Sequence, residues 1–191
     1  MAAYKAEHYL NDIKNLLGCV DASALDSAVS CLIRAVTERK TLFTAGNGGS
    51  ASTANHFAAD FGKNVTGADG IRPRVIPLSA AIAAITAYAN DDGYENAFAS
   101  QLECLVTERD VLLVISASGN SPSVVKAAEL AKAHRATVIA MTGFEGGALA
   151  GLADIHLHAP DRRYETVEDA HMVFCHLLVC CVRAHIAGGT Q

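Results

Sequence analysis

A strand–turn–helix unit that recurs along the chain limits the possible folds more than any other feature of the sequence. Each unit begins with a short apolar stretch and continues into a segment with helical spacing of apolar residues. Successive strands joined by helices need crossover connections, which make the sheet mostly parallel and cover both of its faces. The pattern predicts an α/β fold, a three-layer sandwich with a mostly parallel central sheet. The predicted strands are 41–45, 74–78, 111–115, 137–141 and 155–159.

Helices are predicted both before the first strand and between the strands. The N-terminal segments 4–17 and 23–38 place Leu, Ile and Val at helical spacing. No linker or repeat interrupts the chain, so we expect a single domain over residues 1–191, with an N-terminal helical pair at 1–40 and an α/β core at 41–187. The later helices are predicted at 50–61, 79–88, 122–134 and 166–187, with a short one after Gly147.

Composition and charge exclude several classes of protein. Hydrophobic residues make up 51% of the 191 residues and charged residues 18%, which is typical of a folded chain and not of a disordered one. The net charge of −5, without a run of Lys or Arg, argues against a nucleic-acid partner. No export signal is visible, and the longest uncharged stretch, 75–90, is shorter than a membrane span. The six cysteines form no CxxC pair, which favours reduced thiols and a cytoplasmic location.

A glycine-rich turn follows the first predicted strand. The run Gly46-Asn47-Gly48-Gly49-Ser50 can bend the backbone tightly and direct its N–H groups into a concavity. It matches neither a P-loop nor a dinucleotide-binding fingerprint. Two interpretations remain open, a turn in which Ser50 caps the next helix and an anion-binding loop.

A serine-rich turn follows the third predicted strand and favours the second interpretation. It reads Ser116-Ala117-Ser118-Gly119-Asn120-Ser121, with Pro122 at the first position of the next helix. A purely structural turn needs one capping hydroxyl, whereas this one carries three serines. Hydroxyls and helix N–H groups can surround a phosphate without Arg or Lys. The turn therefore predicts an anion site.

Two predicted helices carry histidines and carboxylates at spacings suited to chemistry. His56 and Asp60 are four residues apart and share one helical face. On the last helix, spacing favours Glu168 with His171, while His176 is rotated away from Glu168 by roughly 80°. A carboxylate and an imidazole can serve as base and acid in aldose–ketose isomerisation, or they can hold Zn²⁺. Ordinary core or surface residues are the alternative.

Other histidines and cysteines offer weaker signals. His156 and His158 share one face of the last predicted strand and could chelate a metal, although exposed edge residues are the more ordinary interpretation. The apolar run 177–182 is interpreted as core or subunit contact.

Taken together and in order, these motifs resemble those of the sugar isomerase (SIS) family, from the N-terminal helices to about residue 187. The glycine-rich turn followed by the HFA sequence at 56–58 is more specific to the heptose branch of that family. The motifs are GNGGS at 46–50, HFAAD at 56–60, SASGNS at 116–121, MTGFEGG at 141–147, and an acid eight residues before a histidine on the last helix.

The resemblance implies the SIS fold, a homotetramer with active sites shared between subunits, and one Zn²⁺ per subunit. It implies conversion of sedoheptulose 7-phosphate to D-glycero-D-manno-heptose 7-phosphate through an enediol. The implied metal ligands are His56, Asp60, Glu168 and His176. Asp60 and Glu168 are then the candidate bases and His176 the acid. The implied substrate-binding residues are Asn47, Gly48, Gly49, Ser50, Asp91, Ser116, Ala117, Ser118, Ser121 and Glu168.

The chain departs from the family pattern at three positions. Asp60 stands where the family has glutamate, Glu168 where it has glutamine, and Thr166 where it has arginine. These changes bear on the exact sugar, so an isomerase acting on another phosphosugar is a second hypothesis. A third is a non-enzymatic SIS protein that binds the bacterial replication initiator. Retention of Asp60 and His176 favours an enzyme.

Overall fold

A five-stranded parallel sheet runs through the centre of the protein. The structure is a computed structural model and describes residues 4–67 and 70–188. The strand order is β2-β1-β3-β4-β5, and every neighbouring pair is parallel. The predicted α/β fold with a parallel central sheet is thereby confirmed. The strands are β1 (Thr41–Gly46), β2 (Arg74–Pro77), β3 (Val111–Ser116), β4 (Thr137–Thr142) and β5 (Ile155–His158).

Eight α-helices are formed by the described residues, and most lie where the apolar spacing predicts them. The segment 79–88 starts as a 3₁₀ turn and becomes helical only at Ile82, because the Ser79 hydroxyl is hydrogen-bonded to the backbone of Gly46. The helix α5 is absent from the sequence prediction. The helices are α1 (Ala6–Gly18), α2 (Ala22–Thr37), α3 (Gly49–Asn64), α4 (Ile82–Asp91), α5 (Ala97–Glu103), α6 (Pro122–Ala133), α7 (Gly147–Leu152) and α8 (Tyr164–Ile186).

Helices cover both faces of the sheet and bury two apolar clusters. Val111, Leu113 and Ile115 point into the cluster shared with α2, α3 and α8. Leu112 and Val114 point into the opposite cluster, shared with α5, α6 and α7. This alternation along a fully buried strand is what a parallel sheet covered on both faces requires.

Among the described helices, α8 has the length and the apolar composition of a membrane-spanning helix. The helices α1 and α2 meet these criteria only when they are taken together as one span, which would be bent by 71° between them. The core of a folded domain can contain such a helix. One side of α8 is buried against the sheet and its neighbours, including Val167, Phe174 and Leu178. Length and composition alone are therefore weak evidence that α8 crosses a membrane.

The sheet brings the two predicted anion loops together. The strands β1 and β3 are neighbours, with Gly46 paired to Ile115 at their carboxyl ends. From β1 the chain moves to β2 on one side and then returns to β3 on the other, so the strand order reverses between β1 and β3. Ligands bind at such a reversal point in open α/β sheets.

A buried carboxylate joins the amino end of β1 to the segment that leads into β3. Asp110 is 2% exposed. Its Oδ1 accepts a hydrogen bond from the Thr41 backbone at 2.8 Å. Its Oδ2 accepts from the backbone and hydroxyl of Thr107 at 2.8 and 2.9 Å. Asp110 therefore links the start of β1 to the turn before β3.

We expect Asp110→Ala to lower the free energy of unfolding by about 1–3 kcal/mol, because it leaves the buried Thr41 amide and the partly buried Thr107 amide without their acceptor. Denaturant unfolding of the two proteins measures the difference. Glu108→Ala is the control, since Glu108 is an exposed partner of Arg135 and such surface ion pairs contribute at most about 1 kcal/mol. Equal losses in both variants would contradict the role of Asp110.

Candidate active site

A cavity of about 110 Å³ lies at the carboxyl ends of β1 and β3. Both predicted anion loops contribute to it, so the structure brings together residues that are about 70 positions apart in the sequence. Neither Lys nor Arg lines the cavity. The lining residues are Asn47, Ser50, Ile115, Ser116, Ala117, Ser118, Ser121, Tyr164 and Glu168.

The glycine-rich loop opens directly into the N-terminus of α3. Gly48 is the N-cap residue and has a φ of 54°, which favours glycine. Ser50 lies inside the first turn and is buried, so the interpretation of Ser50 as the N-cap is wrong. The cap makes no side-chain hydrogen bond, and the first amides of α3 face the cavity without a capping side chain.

The serine-rich loop directs hydroxyl groups into the same cavity. Ser116 Oγ accepts a hydrogen bond from the Gly119 amide at 3.2 Å, and Ser118 Oγ accepts one from the Asn120 amide at 3.3 Å. Each hydroxyl keeps its own O–H for donation to a ligand. Ser121 is the N-cap residue of α6 and makes no side-chain capping bond. The loop is therefore arranged to donate hydrogen bonds to an anion.

Two tyrosines that the sequence analysis did not identify contribute to the cavity. Tyr164, the first residue of α8, lines it and packs edge-on against Phe144 at 5.0 Å between ring centroids. The Tyr94 hydroxyl donates to Asn47 Oδ1 at 2.7 Å, while Asn47 Nδ2 donates to Ser123 Oγ at 2.9 Å. These contacts fix the orientation of the Asn47 amide. Neither tyrosine belongs to a local motif, so only the tertiary fold reveals them.

A second polar group lies further along α3 and α8. His56 Nε2 and His176 Nε2 are 3.1 Å apart, and Asp60 Oδ2 is 3.4 Å from the first and 4.0 Å from the second. The side chains are partly exposed, at 46% for His56, 54% for His176 and 32% for Asp60. The structure thus brings together the i, i+4 pair of α3 and the histidine that the family resemblance selects.

This donor set fits a zinc ion. Two imidazole nitrogens and a carboxylate oxygen lie within 4.8 Å of one another. Ligand atoms of a tetrahedral zinc ion with bonds of about 2.0–2.1 Å are separated by about 3.3 Å, close to two of the three distances here. Three protein ligands with one exposed side match a catalytic zinc site, which keeps a position free for substrate or water.

The Glu168 side chain lies in the serine-lined cavity and not beside His56, Asp60 and His176. A β-carbon placed on Gly49 would be 2.8 Å from Glu168 Oε1 and 2.9 Å from Oε2. The carboxylate therefore rests against the first turn of α3, inside the cavity lined by serines. Among the described residues, the group that could hold a metal contains His56, Asp60 and His176 but not Glu168.

Two further candidates, Asp91 and His171, lie apart from the serine-lined cavity and from the group of His56, Asp60 and His176. Asp91 ends α4 and is exposed, and its carboxylate accepts a hydrogen bond from Asn90 at 2.8 Å. His171, the partner that spacing favours for Glu168, is fully buried beside Phe174. Neither of its ring nitrogens has a hydrogen-bond partner. Burial lowers the pKa of His171 to about 4.

His156 and His158 lie on the edge strand β5 with stacked rings, and both are half-buried. His156 Nε2 is 2.6 Å from Thr142 Oγ1, and His158 Nε2 is 2.9 Å from the Phe144 carbonyl oxygen. Burial lowers the pKa of His156. Both rings connect β5 to the end of β4 and the turn that follows it.

Known proteins share both the sequence and the fold. The family model of the SIS domain matches residues 8–143. The phosphoheptose isomerase of Helicobacter pylori is 39% identical over 165 residues, which are 86% of this chain and 85% of that protein. The phosphoheptose isomerase of Shewanella denitrificans is 34% identical over 160 residues, 81% of this chain and 80% of that protein.

Two solved structures have nearly the same architecture. Phosphoheptose isomerase GmhA from Neisseria gonorrhoeae superposes with a TM-score of 0.86 at 29% identity, covering 94% of this chain and 96% of that one. A phosphoheptose isomerase from Francisella tularensis gives a TM-score of 0.85 at 27% identity, covering 94% and 99%.

Burial of the His171 imidazole makes the stability of the fold depend on pH. Its pKa is lowered in the folded state, so the unfolded chain takes up a proton first as the pH falls below about 6.5. Stability is therefore lost progressively between about pH 6.5 and pH 4. We expect His171→Leu to remove up to about 3 kcal/mol of this loss, measured by denaturant unfolding across that range. His185→Leu, at an exposed position of α8, is the control, and identical pH profiles for all three proteins would contradict the assignment.

Proposed function

The chain belongs to the SIS domain family, and from that premise we propose that it is a phosphoheptose isomerase, an enzyme that converts sedoheptulose 7-phosphate into D-glycero-D-manno-heptose 7-phosphate. The observation that carries the proposal is that α3 and α8 carry one group of donors themselves and also contribute Ser50 and Glu168 to a cavity completed by the loop between β3 and α6. One site offers serine hydroxyls and helix amides, and the other offers imidazoles and a carboxylate.

The separation of the two sites fits a seven-carbon sugar phosphate. On α3, His56 lies six residues beyond Ser50, and on α8, His176 lies eight residues beyond Glu168. At about 1.5 Å per residue these steps span about 9 and 12 Å. Six carbon–carbon bonds of about 1.5 Å each, together with the phosphate ester, extend over roughly 10 Å. A phosphate held at the loops therefore places the carbonyl end of a heptulose beside His56 and His176.

The phosphate is bound by neutral donors. Ser50, Ser116, Ser118 and Ser121 would donate hydroxyl protons to its oxygens, while Asn47, Gly48, Gly49 and Ala117 shape the loops around it. The N-termini of α3 and α6 add partial positive charge at the same point. This binding fixes the far end of the substrate and orients the reacting carbons, which is the role of a remote binding group.

The isomerisation moves one proton between C1 and C2 through an enediol. A base must take the proton from one carbon and return it to the other, and an acid must protonate the oxygen. Asp60 and Glu168 are the candidate bases and His176 is the candidate acid. With zinc held through Asp60 Oδ2 and His176 Nε2, the atoms left to carry a proton would be Asp60 Oδ1 and His176 Nδ1. The placement favours Asp60, since its carboxylate lies beside His176, whereas the Glu168 carboxylate lies at the phosphate end.

We propose that His56, Asp60 and His176 hold one Zn²⁺ per subunit, with Glu168 as the remaining candidate ligand. A bound zinc ion supplies a Lewis acid that polarises the substrate carbonyl. The 3.1 Å separation of the two imidazole nitrogens and the partial exposure of the group support this assignment.

We further propose a cytoplasmic homotetramer with shared active sites. The helix α4 supports the assembly, because none of its residues is buried although most are apolar. Packing α4 against a second copy would cover this face and bring Asp91 to the sugar of a neighbouring site. No disulfide is formed by the six cysteines, in agreement with a reducing compartment. The relatives named above favour the heptose substrate over another phosphosugar and an enzyme over a non-enzymatic protein.

Purified protein supplied with Zn²⁺ is expected to convert sedoheptulose 7-phosphate and to exchange the C1–C2 proton with deuterated buffer, as followed by NMR. A five-carbon ketose phosphate should react at least about tenfold more slowly, because its carbonyl does not reach His176 when its phosphate is bound at the loops. Turnover of the shorter sugar at the same rate would overturn the length argument. Absence of conversion of sedoheptulose 7-phosphate would overturn the proposed reaction.

The combined change Ser118→Ala and Ser121→Ala is expected to lower kcat/KM for this substrate by about 10–100-fold, because two donors to the phosphate are lost. Ser27→Ala is the control, since that exposed hydroxyl bonds within α2 to the Ser23 carbonyl oxygen, away from the cavity. Steady-state kinetics measures kcat/KM for the double variant and for the control. An unchanged kcat/KM in the double variant would show that the phosphate is bound elsewhere.

Removal of a metal ligand should remove both zinc and activity. We expect His56→Ala and His176→Ala each to reduce bound zinc from one per subunit to below about one tenth, as measured by elemental analysis after dialysis, because a bidentate remainder binds zinc weakly. The loss of kcat should be at least about 100-fold. His185→Ala on the same helix is expected to retain its zinc, and a full zinc content in His176→Ala would contradict the assigned ligands.

A further inference from the structure

The Tyr94 hydroxyl contacts the glycine-rich loop from a segment that lies about 45 residues further along the chain. Tyr94 begins a short 3₁₀ turn, Tyr94–Asn96, between α4 and α5. Half of the residue is exposed to solvent, yet its hydroxyl donates to Asn47 Oδ1 at 2.7 Å. The proposed reaction assigns no role to this tyrosine. An exposed aromatic residue with its polar end bonded to a cavity residue is therefore a candidate for a role in binding.

The Asn47 amide is held at both of its ends. Its oxygen accepts the hydrogen bond from Tyr94, and its nitrogen donates to Ser123 Oγ at 2.9 Å. An amide nitrogen carries two hydrogens, and among the described residues only Ser123 accepts one of them. Asn47 lines the cavity, so its second N–H is available to a ligand there. With the oxygen occupied by Tyr94, the end of the amide that is left for a ligand is a donor.

The turn that carries Tyr94 is anchored on α6 independently of the Tyr94 hydroxyl. Lys126 Nζ donates to Asn96 Oδ1 at 2.9 Å. Ser123 and Lys126 are three residues apart on α6 and therefore share one face of that helix. The same face thus holds Asn47 through Ser123 and the 3₁₀ turn through Lys126, so the tertiary fold sets the distance between Tyr94 and Asn47.

From these contacts we propose that Tyr94 is a positioning residue of the phosphate site, and that its hydroxyl holds the Asn47 amide with a free N–H for a phosphate oxygen. The inference rests on the proposed phosphate site and adds to it a residue that acts through Asn47. The lining of the cavity includes no Lys or Arg, so binding depends on such neutral donors. An Asn47 amide turned the other way would present its oxygen, whose partial negative charge repels a phosphate.

The competing explanation is that the Tyr94 hydroxyl only stabilises the turn between α4 and α5. Its removal would then change phosphate binding by the same factor whether or not the Asn47 side chain is present. If Tyr94 acts through Asn47, its effect disappears once the Asn47 amide is removed. The two explanations therefore differ in the additivity of two substitutions, which a double-mutant cycle measures.

The test is isothermal titration of the full-length protein with inorganic phosphate at constant pH. We expect Tyr94→Phe, which keeps the ring and removes the hydroxyl, to raise the dissociation constant of phosphate at least about threefold, and Asn47→Ala to raise it about tenfold. In the Asn47→Ala background, Tyr94→Phe should change this constant by less than about 1.5-fold. Tyr4→Phe is the matched control with no expected change, since the exposed Tyr4 hydroxyl also donates at 2.7 Å, to Asp12.

Steady-state kinetics with sedoheptulose 7-phosphate gives a second readout. The phosphate group is bound in the same way in the ground state and in the transition state, so its loss of affinity appears in KM. We expect Tyr94→Phe to raise KM at least about threefold and to leave kcat unchanged. A lower kcat at an unchanged KM would contradict the assigned role.

An unchanged dissociation constant in Tyr94→Phe overturns the inference while the proposed isomerase reaction stands. A rise that persists in the Asn47→Ala background, or that Tyr4→Phe reproduces, overturns it as well. Absence of phosphate binding to the wild-type protein would overturn both the inference and the phosphate site on which it rests. If the wild-type protein binds phosphate through Tyr94 and Asn47 but does not convert sedoheptulose 7-phosphate, the inference stands and the proposed reaction fails.

Discussion

The parallel pairing of β1 with β3 is the constraint from which the rest of the site follows. Because Gly46 and Ile115 are paired, both strands end at the same level, and the turns that follow them face one another. The helices α3 and α6 then begin at this edge with their N-termini directed at a common point. A protein with a net charge of −5 can thereby offer an anion site without a single cationic side chain in its lining.

The packing of α8 alongside α3 adds a second polar group, which contains His56 and His176, to the cavity at the strand ends. Both helices start at the cavity, and His56 and His176 meet further along them, so the helices run in the same direction. Phe57 and Phe174 lie on the buried sides of the same helices and pack into one apolar cluster. The core therefore fixes the distance between the serine-lined cavity and the His56–His176 pair, and the proposed fit of a seven-carbon substrate depends on that distance.

Local patterns were sufficient to predict the five strands, seven of the eight helices of the described residues, and the pairing of His56 with Asp60, because each depends on residues within one element. The spacing on α8 pointed instead to His171, which the structure buries completely beside Phe174. Spacing identifies residues that share a face but does not tell which face the sheet covers. His176 was selected by family resemblance. Tyr94, Tyr164 and the position of the Glu168 carboxylate depend on contacts between distant segments, for which the sequence carries no local signal.

The shorter acid at position 60 and the added acid at position 168 have a structural consequence. Asp60 Oδ2 stays 4.0 Å from His176 Nε2, although the two imidazole nitrogens approach to 3.1 Å, so the short carboxylate is the loosest member of the group. The longer Glu168 is long enough to reach the first turn of α3 and takes part in the anion pocket instead. Negative charge is thus divided between the two ends of the site.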